Sequence, residues 1–346
     1  MLGIFVIYLI LVLYKSKFEI KGTADYLAIE NTNCVKGIFI LMVFLSHFNS
    51  YIGLTGRYDE IYLRIFSTIG QAMVTMFMFY SGYGIMESIK KKGDSYVSSI
   101  PFKRVLGTLF RFDLAIALFL ILALITSRPM TAKNVLLSLI GWESLGNSNW
   151  YIFVILVLYV ITFIAFKIFG TKKLFLSASV TTVLVAGVVM ATMIYEIKES
   201  WWYDTALCFA VGLLYSLFKD TIVKMVNKNI VLWFVFTTVF GAAFYTLRPR
   251  CIVFQIISNI CFTLFFVILT MRITFNNKAL KWCGEHLFEI YILQRIPMIV
   301  FQRVTSIQSN IYLYFALCLA VTVIMTIGFK YAADLVWNKL TSKKRT

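Results

Sequence analysis

The chain has 346 residues, of which 60% are hydrophobic and 14% are charged. Soluble globular domains are about 45–50% apolar and about 25% charged, so this composition excludes a soluble enzyme with one anchor, a disordered chain and a coiled coil. The net charge is +17, from 33 Lys and Arg against 16 Asp and Glu, and cationic loops that fix membrane topology explain this excess without nucleic acid. The sequence therefore predicts a polytopic membrane protein whose lipid-exposed backbone is helical.

Eleven apolar segments follow one another along the chain. Most are about 20 residues long, which is the length that a helix needs to cross a bilayer. The first is short enough to lie in the membrane interface instead, and the tenth is interrupted by Gln294, Arg295 and Pro297. We therefore predict an all-α, polytopic transmembrane bundle of 10–11 spans. The segments run over Leu2 to Tyr14, Val35 to Leu54, Ile65 to Ile85, Val105 to Ile125, Trp150 to Phe169, Leu174 to Tyr195, Trp202 to Phe218, Ile230 to Leu247, Cys251 to Met271, Leu287 to Phe301 and Ile311 to Val336.

Lys and Arg are distributed unevenly between the two sets of loops that these segments define. One set holds 22 of them, the other set holds 8, and three lie inside the segments. Because cytoplasmic loops carry the excess of Lys and Arg, we predict that the first set is cytoplasmic. This orientation puts the C-terminus in the cytoplasm and, if the first segment crosses the membrane, the N-terminus outside.

His47 is an ionisable side chain inside the second segment, where such groups are costly and are often functional. Lys36 precedes it by eleven residues, or three helical turns, so both side chains share a face and lie about 16 Å apart along the axis. One helix then carries a cation at the cytoplasmic edge and, deep in the membrane, a histidine able to act as a general base. A membrane histidine can also simply hydrogen-bond a neighbouring helix, and spacing alone leaves both interpretations open.

A Ser-Gly block ends the third segment, and a basic loop follows it. Gly82 lets another backbone or a ligand approach closely and Ser81 can donate a hydrogen bond, although small-residue helix packing explains the same block. Beyond the loop, Lys103, Arg104 and Arg111 predict an inner cationic patch that suits a phosphorylated ligand. Cytoplasmic loops are generally rich in Lys and Arg, which explains the lysines of the basic loop. This rule does not explain Arg111, which lies further into the fourth segment.

Two charged residues lie inside the interrupted tenth segment. Glu289 and Arg295 are six residues apart, so they are not neighbours on one helix and each needs a partner elsewhere. Pro297 breaks the backbone there, and broken membrane helices usually line a cavity. A structural ion pair that holds the bundle together is the alternative.

The cysteines and histidines predict no metal site. The six cysteines have no paired spacing, and most lie in apolar runs where cysteine behaves as a small hydrophobic residue. The chain has only two histidines, which leaves too few ligands for a zinc centre.

Five blocks along the chain carry a family resemblance by their order as well as their composition. They are Lys36 to His47, Phe77 to Gly84, Lys103-Arg104 with Arg111, Asn149 to Ile152, and Phe288 to Leu293. Together they resemble the membrane-bound acyltransferase family 3, of the surface-polysaccharide O-acetyltransferase type. The late block of that family usually carries a histidine where this chain has Gln294, so we assign no catalysis there.

The resemblance implies one integral membrane acyltransferase domain over residues 1–346, with 30–335 as its core and 1–14 as an extra apolar segment. It implies transfer of an acyl group, usually acetyl, from cytoplasmic acyl-CoA to a hydroxyl of surface carbohydrate, with His47 as the general base. Acetyl-CoA is then a donor substrate, and no cofactor is bound permanently. The remaining assignments are Lys36, Lys103, Arg104 and Arg111 for the donor, Asn49, Ser81, Tyr83 and Trp150 for the acceptor or the oxyanion, and Gly82, Glu289 and Arg295 for structure or cavity lining.

We expect a multi-pass protein of the bacterial plasma membrane whose partners are acyl-CoA, a surface glycan or glycolipid and the bilayer, but not nucleic acid. Polysaccharide-assembly machinery is a further candidate partner. The alternatives are a transporter of polysaccharide or acyl groups and a membrane polysaccharide polymerase. Transporters more often have paired broken helices in inverted repeats, whereas only one break is predicted here. A polymerase more often has a long outer loop rich in Arg and His, but the loop from Thr126 to Asn149 contains Arg128 and no histidine.

Overall fold

The computed structural model describes residues 1–23, 25–247 and 251–342, which form an all-α bundle with one small pair of strands. Within these ranges, nine stretches are long and apolar enough to cross a membrane, which confirms the predicted polytopic helical bundle. The first nine helices are α1 (Leu2–Leu13), α2 (Ile29–Phe48), α3 (Asp59–Ile69), α4 (Thr75–Lys92), α5 (Asp94–Ile100), α6 (Gly107–Ile125), α7 (Ala132–Leu139), α8 (Trp150–Phe169) and α9 (Leu174–Ile194). The others are α10 (Leu207–Val226), α11 (Ile230–Leu247), α12 (Ile252–Leu269), α13 (Lys278–Glu285), α14 (Leu287–Leu293), α15 (Arg295–Phe301), α16 (Thr305–Gln308) and α17 (Ile311–Ser342), and the strands are β1 (Ser16–Phe18) and β2 (Ile273–Phe275).

The tenth predicted segment is divided, as its sequence indicates. Helix α14 ends at Leu293 and α15 begins at Arg295, with Gln294 between them. The cause is Pro297, whose ring nitrogen has no hydrogen to donate to the carbonyl oxygen of Leu293, four residues earlier. Two short helices therefore replace one spanning helix at this place.

Helix α1 is part of the bundle despite having only 12 residues. Phe5 packs against Tyr62 and Phe66 of α3, with ring centroids 5.9 and 5.7 Å away. The Tyr8 hydroxyl donates to the carbonyl oxygen of Ile38 in α2, at 3.1 Å. Beyond α1, strand β1 pairs with β2 in antiparallel register, so both ends of this segment are fixed to the rest of the chain.

Helix α2 begins six residues earlier than the predicted second segment and ends at Phe48. Its first turns pack against α13 at backbone distance: a Cβ on Gly37 would lie 1.9 Å from the carbonyl oxygen of Leu280. The contact is reciprocal, because a Cβ on Gly284 would lie 1.9 Å from the carbonyl oxygen of Asn33. Packing against α13 stabilises the polar first turn of α2. The apolar pattern of the sequence alone does not predict this turn.

The longer start of α2 places its histidine at the far end of a 20-residue helix. His47 lies one residue before the last residue of α2, at the end opposite the turns that pack against α13. That His47 lies deep in the membrane stays a prediction. The spacing from Lys36 remains eleven residues of continuous helix, or about 16 Å of rise.

Contacts between loops agree with the two predicted sides of the membrane. Strands β1 and β2 come from two loops that are both predicted to be cytoplasmic. The Thr171 hydroxyl donates to the Asp94 carboxylate at 2.8 Å, between two other such loops. At the opposite end, the Lys198 ammonium lies 3.8 Å from the Glu143 carboxylate, between two predicted outer loops.

Candidate active site

A cavity of about 500 Å³ runs into the bundle between α2, α4, α6, α8, α14 and α17. Its volume lies in the range of about 300–1,000 Å³ that is common for small-molecule sites. All four residues predicted to bind the donor contribute to its walls, and so does Ser81. We call it the donor-side cavity. The four predicted donor-binding residues on its walls are Lys36, Lys103, Arg104 and Arg111.

Local structure holds two of these cations in place. The Lys36 ammonium lies 3.3 Å from the amide oxygen of Asn33 and 5.6 Å from the centre of the Tyr80 ring. Arg104 donates from Nε to the Tyr96 hydroxyl at 3.1 Å. Arg104 belongs to a π-helical stretch, residues 101–106, between α5 and α6, and single π-helical turns are frequent at functional sites.

Arg111 differs from the others because the protein already occupies part of its guanidinium. Nη2 donates to the Asp334 carboxylate at 2.7 Å, and Nη1 donates to the carbonyl oxygen of Gly107 at 3.1 Å. Asp334 also lines the donor-side cavity. Arg111 is thus held at the wall of the cavity, with part of its charge balanced by a carboxylate of α17.

Polar groups continue into the cavity from the cationic region. Ser81 lies beside the hydroxyls of Tyr151 and Tyr159, and all three residues line the cavity. Glu289 is 7% exposed and also lines it. Within the described ranges, neither Glu289 nor Arg295 belongs to an ion pair, so the structural pairing considered for them is not observed.

His47 lies outside the donor-side cavity, on the far side of one aromatic ring. The ring centroids of His47 and Tyr291 are 6.1 Å apart, and those of Tyr291 and Tyr151 are 5.4 Å apart. Tyr151 lines the cavity, whereas Tyr291 is 2% exposed. The charge of Arg295 acts electrostatically on the imidazole. The Tyr291 ring therefore contacts both a wall residue of the cavity and His47.

Ser148 is a neighbour of His47 that the sequence did not reveal. Its hydroxyl oxygen lies 3.5 Å from His47 Nδ1, and the residue is 5% exposed. The loop that carries it is folded inward by polar contacts: the Asn149 side-chain amide donates to the carbonyl oxygen of Gly141 at 2.8 Å, and the Leu145 amide donates to Asn147 at 2.9 Å. The only signal in the sequence is a cluster of small polar residues just before α8.

The residues predicted for the acceptor or the oxyanion do not lie together. Ser81 lines the cavity, but Tyr83 lies on the other face of α4, stacked on Phe79 at 6.2 Å. Residues two apart on a helix point in different directions, so Ser81 and Tyr83 do not face the same space, and a role of Tyr83 at the oxyanion stays a prediction. Asn49 accepts a hydrogen bond of 2.8 Å from the Tyr62 hydroxyl. Trp150 begins α8, with its ring edge-on to Tyr151 at 6.1 Å.

Gly82 serves the packing of α4 against α10. A Cβ on Gly82 would lie 2.0 Å from the carbonyl oxygen of Phe209, and one on Gly212 would lie 2.2 Å from that of Phe79. Such distances leave no room for a side chain on either glycine. The interpretation of the Ser-Gly block as small-residue packing therefore holds for Gly82, while Ser81 faces the cavity.

The fold and the site together define a class of protein: a multi-pass membrane protein with a cationic interior cavity and a histidine beyond its inner end. No group of three or more His, Cys, Asp or Glu within the described part of the chain could hold a metal ion. A family model described as "Acyltransferase domain" matches residues 29–329. The chain belongs to this family, acyltransferase family 3, which confirms the resemblance and makes the protein a membrane acyltransferase. No curated protein and no solved structure matched the chain.

Proposed function

We propose that the protein transfers an acyl group, most simply acetyl, from cytoplasmic acyl-CoA to a hydroxyl of a cell-surface polysaccharide or of its lipid-linked precursor. One observation supports this proposal above the others. A cavity with five cations on its walls extends to Tyr151, and the Tyr291 ring contacts both Tyr151 and His47. We place the protein in the plasma membrane of a bacterium, with this cavity open to the cytoplasm.

The cations of the cavity suit the phosphates of the donor. Arginine and lysine form charge-assisted hydrogen bonds with phosphate oxygens, about twice as strong as bonds between neutral groups. Lys36 and Arg104 come from different elements and line one space, so they can hold two parts of one ligand. The acyl end of the donor then occupies the inner part of the cavity, beside Ser81 and Tyr159.

His47 is the proposed general base. With Nδ1 directed at Ser148, the opposite ring nitrogen, Nε2, is the one available to the acceptor. The acceptor hydroxyl gives its proton to Nε2 while its oxygen attacks the thioester carbonyl. When the tetrahedral intermediate collapses, the carbon–sulfur bond breaks and the leaving thiolate takes the proton from His47 Nε2, which returns the imidazole to its neutral form. Arg295 contributes a positive charge near the developing oxyanion.

The acceptor is proposed to reach His47 from the outer side. His47 lies one residue before the outer end of α2, and the buried loop with Ser148 covers it. A glycan hydroxyl from that side meets the acyl group when the Tyr291 ring moves aside. Donor and acceptor thus approach one histidine from opposite faces of the membrane.

The test is acetyl transfer by the purified protein from radiolabelled acetyl-CoA to a glycan extract of the host envelope. General-base catalysis contributes about 10²–10⁴-fold, so we expect His47→Ala to lower the transfer rate by at least about 100-fold. The second histidine offers a comparison on the donor side, because His286 stacks on Trp282 with ring centroids 4.4 Å apart and its Nε2 lies 3.5 Å from the ammonium of Lys330, which lines the donor-side cavity. His286→Ala should retain transfer.

Two outcomes would contradict the proposal. One is wild-type transfer by a folded His47→Ala protein, which would remove the base from the mechanism. The other is the absence of transfer by the wild-type protein together with movement of intact glycan across vesicle membranes, which would favour a transporter. Size-exclusion elution and thermal unfolding of each variant establish that it is folded.

A further inference from the structure

A second cavity of about 830 Å³ adjoins the donor-side cavity at the predicted cytoplasmic end. We call it the Trp337 cavity. It shares Lys103 and Arg111 with the donor-side cavity, and its other walls include Phe102, Gly107 and Trp337. One ligand can therefore extend from one cavity into the other past two cations.

Trp337 lies near the C-terminal end of the 32-residue helix α17, at its predicted cytoplasmic end. Helix α17 begins at Ile311 and is continuous to Ser342, so Trp337 is about 39 Å along its axis, at 1.5 Å per residue. The hydrocarbon core is only about 30 Å thick. Trp337 thus reaches the headgroup region or the cytoplasm, where a water-soluble ligand has access.

Aromatic neighbours hold the indole ring beside an open wall. The Trp337 ring centroid lies 5.3 Å from that of Phe102 and 5.1 Å from that of Phe110, at interplanar angles of 36° and 45°. Gly107 faces the indole without a side chain, and a Cβ built there would have its nearest neighbours, including Trp337 and Arg111, at 3.6–3.7 Å. A methyl group on Gly107 would therefore touch Trp337 and Arg111 at ordinary contact distance, and a longer side chain would extend beyond it into the cavity.

An aromatic ring next to two cations is the recognition chemistry of a nucleotide. The faces of nucleobases stack on aromatic side chains, and Lys and Arg bind the phosphates. We propose that the Trp337 cavity binds the nucleotide end of the acyl-CoA donor, with the adenine stacked on Trp337 and the phosphates at Lys103 and Arg111. This inference rests on the proposed function for the identity of the donor. The inference also excludes a donor in which the acyl thioester is attached to a carrier protein, because such a donor has no nucleotide end.

Binding measurements separate this site from the catalytic step. The probe is adenosine 3′,5′-bisphosphate, titrated calorimetrically into the wild-type protein in nanodiscs of zwitterionic lipid. Stacking of one base is worth about 1–3 kcal/mol, so Trp337→Ala should weaken binding about 5- to 150-fold. Trp337→Phe, which keeps an aromatic face, should lose less. Trp201→Ala, at an exposed position on the opposite end, is the matched control and should bind like the wild type.

A second variant guards against misfolding of Trp337→Ala. Gly107→Leu adds a side chain into the open space of the cavity, and it should also weaken binding of the bisphosphate while pantetheine, which lacks the nucleotide, binds as before. Wild-type affinity in both variants would overturn the inference. A second result would also overturn it: the bisphosphate fails to bind in nanodiscs of anionic lipid, and neither variant changes its affinity. The cavity would then be a site for lipid.

The result is independent of the role of His47. If His47→Ala transfers acetyl normally but the bisphosphate binds at Trp337, the proposed mechanism fails and the nucleotide site stands. If acetyl transfer depends on His47 but the bisphosphate does not bind, the nucleotide site fails and the proposed function stands.

Discussion

Removing the Ser148 hydroxyl changes one atom that lies beside the His47 ring and also interacts with the Tyr291 side chain. The oxygen lies 3.5 Å from Nδ1, which is long for a hydrogen bond. A typical hydrogen bond contributes about 0.5–1.5 kcal/mol, and 1.36 kcal/mol changes a rate tenfold. The long distance favours the lower half of this range, so Ser148→Ala should lower kcat for acetyl transfer about two- to fivefold. The KM for acetyl-CoA should not change, because Ser148 does not line the donor-side cavity.

The assay measures initial rates of acetyl transfer over a range of pH and of acetyl-CoA concentration. A residue that orients His47 should change the pH dependence of kcat, which a purely structural residue would not change. Ser148→Thr restores a hydroxyl at the same position and should recover most of the rate. Two results would refute the reasoning: wild-type kcat and pH profile in Ser148→Ala, or the same loss in Ser148→Thr as in Ser148→Ala.

Two further predictions concern the donor and the helix packing. Lys36→Ala should raise the Kd of acetyl-CoA about tenfold or more, since hydrogen bonds to charged groups contribute about 1.5–3 kcal/mol, and equal affinity in calorimetry would remove Lys36 from the donor site. Gly82→Ala should destabilise the bundle by about 1–3 kcal/mol, because its Cβ would lie 2.0 Å from the carbonyl oxygen of Phe209. A Cβ on Gly84 meets nothing within 4 Å, so Gly84→Ala is the control, and similar thermal unfolding of both variants would contradict the packing.

The features that could be predicted from the sequence are those that the bilayer imposes locally. Apolar length fixed the positions of α8 and α11, whose bounds agree with the predicted segments. Pro297 lacks a backbone hydrogen wherever it lies, so the break between α14 and α15 was predictable as well. The start of α2 was not, because it depends on the contact of Gly37 with α13, which is distant in sequence.

The candidate site shows the same division. The helical spacing of Lys36 and His47 was readable, since it depends on one helix only. Ser148 and Tyr291 could not be assigned, because their importance comes from neighbours that tertiary packing supplies. The separation of Tyr83 from Ser81 is different, because it follows from the helical period alone.

The tight contact between α2 and α13 has a consequence for the choice of donor. Gly37, next to Lys36 in the sequence, is in contact with the backbone of α13, so this part of α2 cannot shift along its axis. The proposed phosphate anchor, Lys36, and the proposed base, His47, are then separated by a fixed distance of about 16 Å, which is the rise of eleven helical residues. A donor must span that interval between its phosphates and its acyl carbon. The protein would then select its donor by the length of the arm between the phosphates and the acyl carbon. The residues near His47 would set the size of the acyl group.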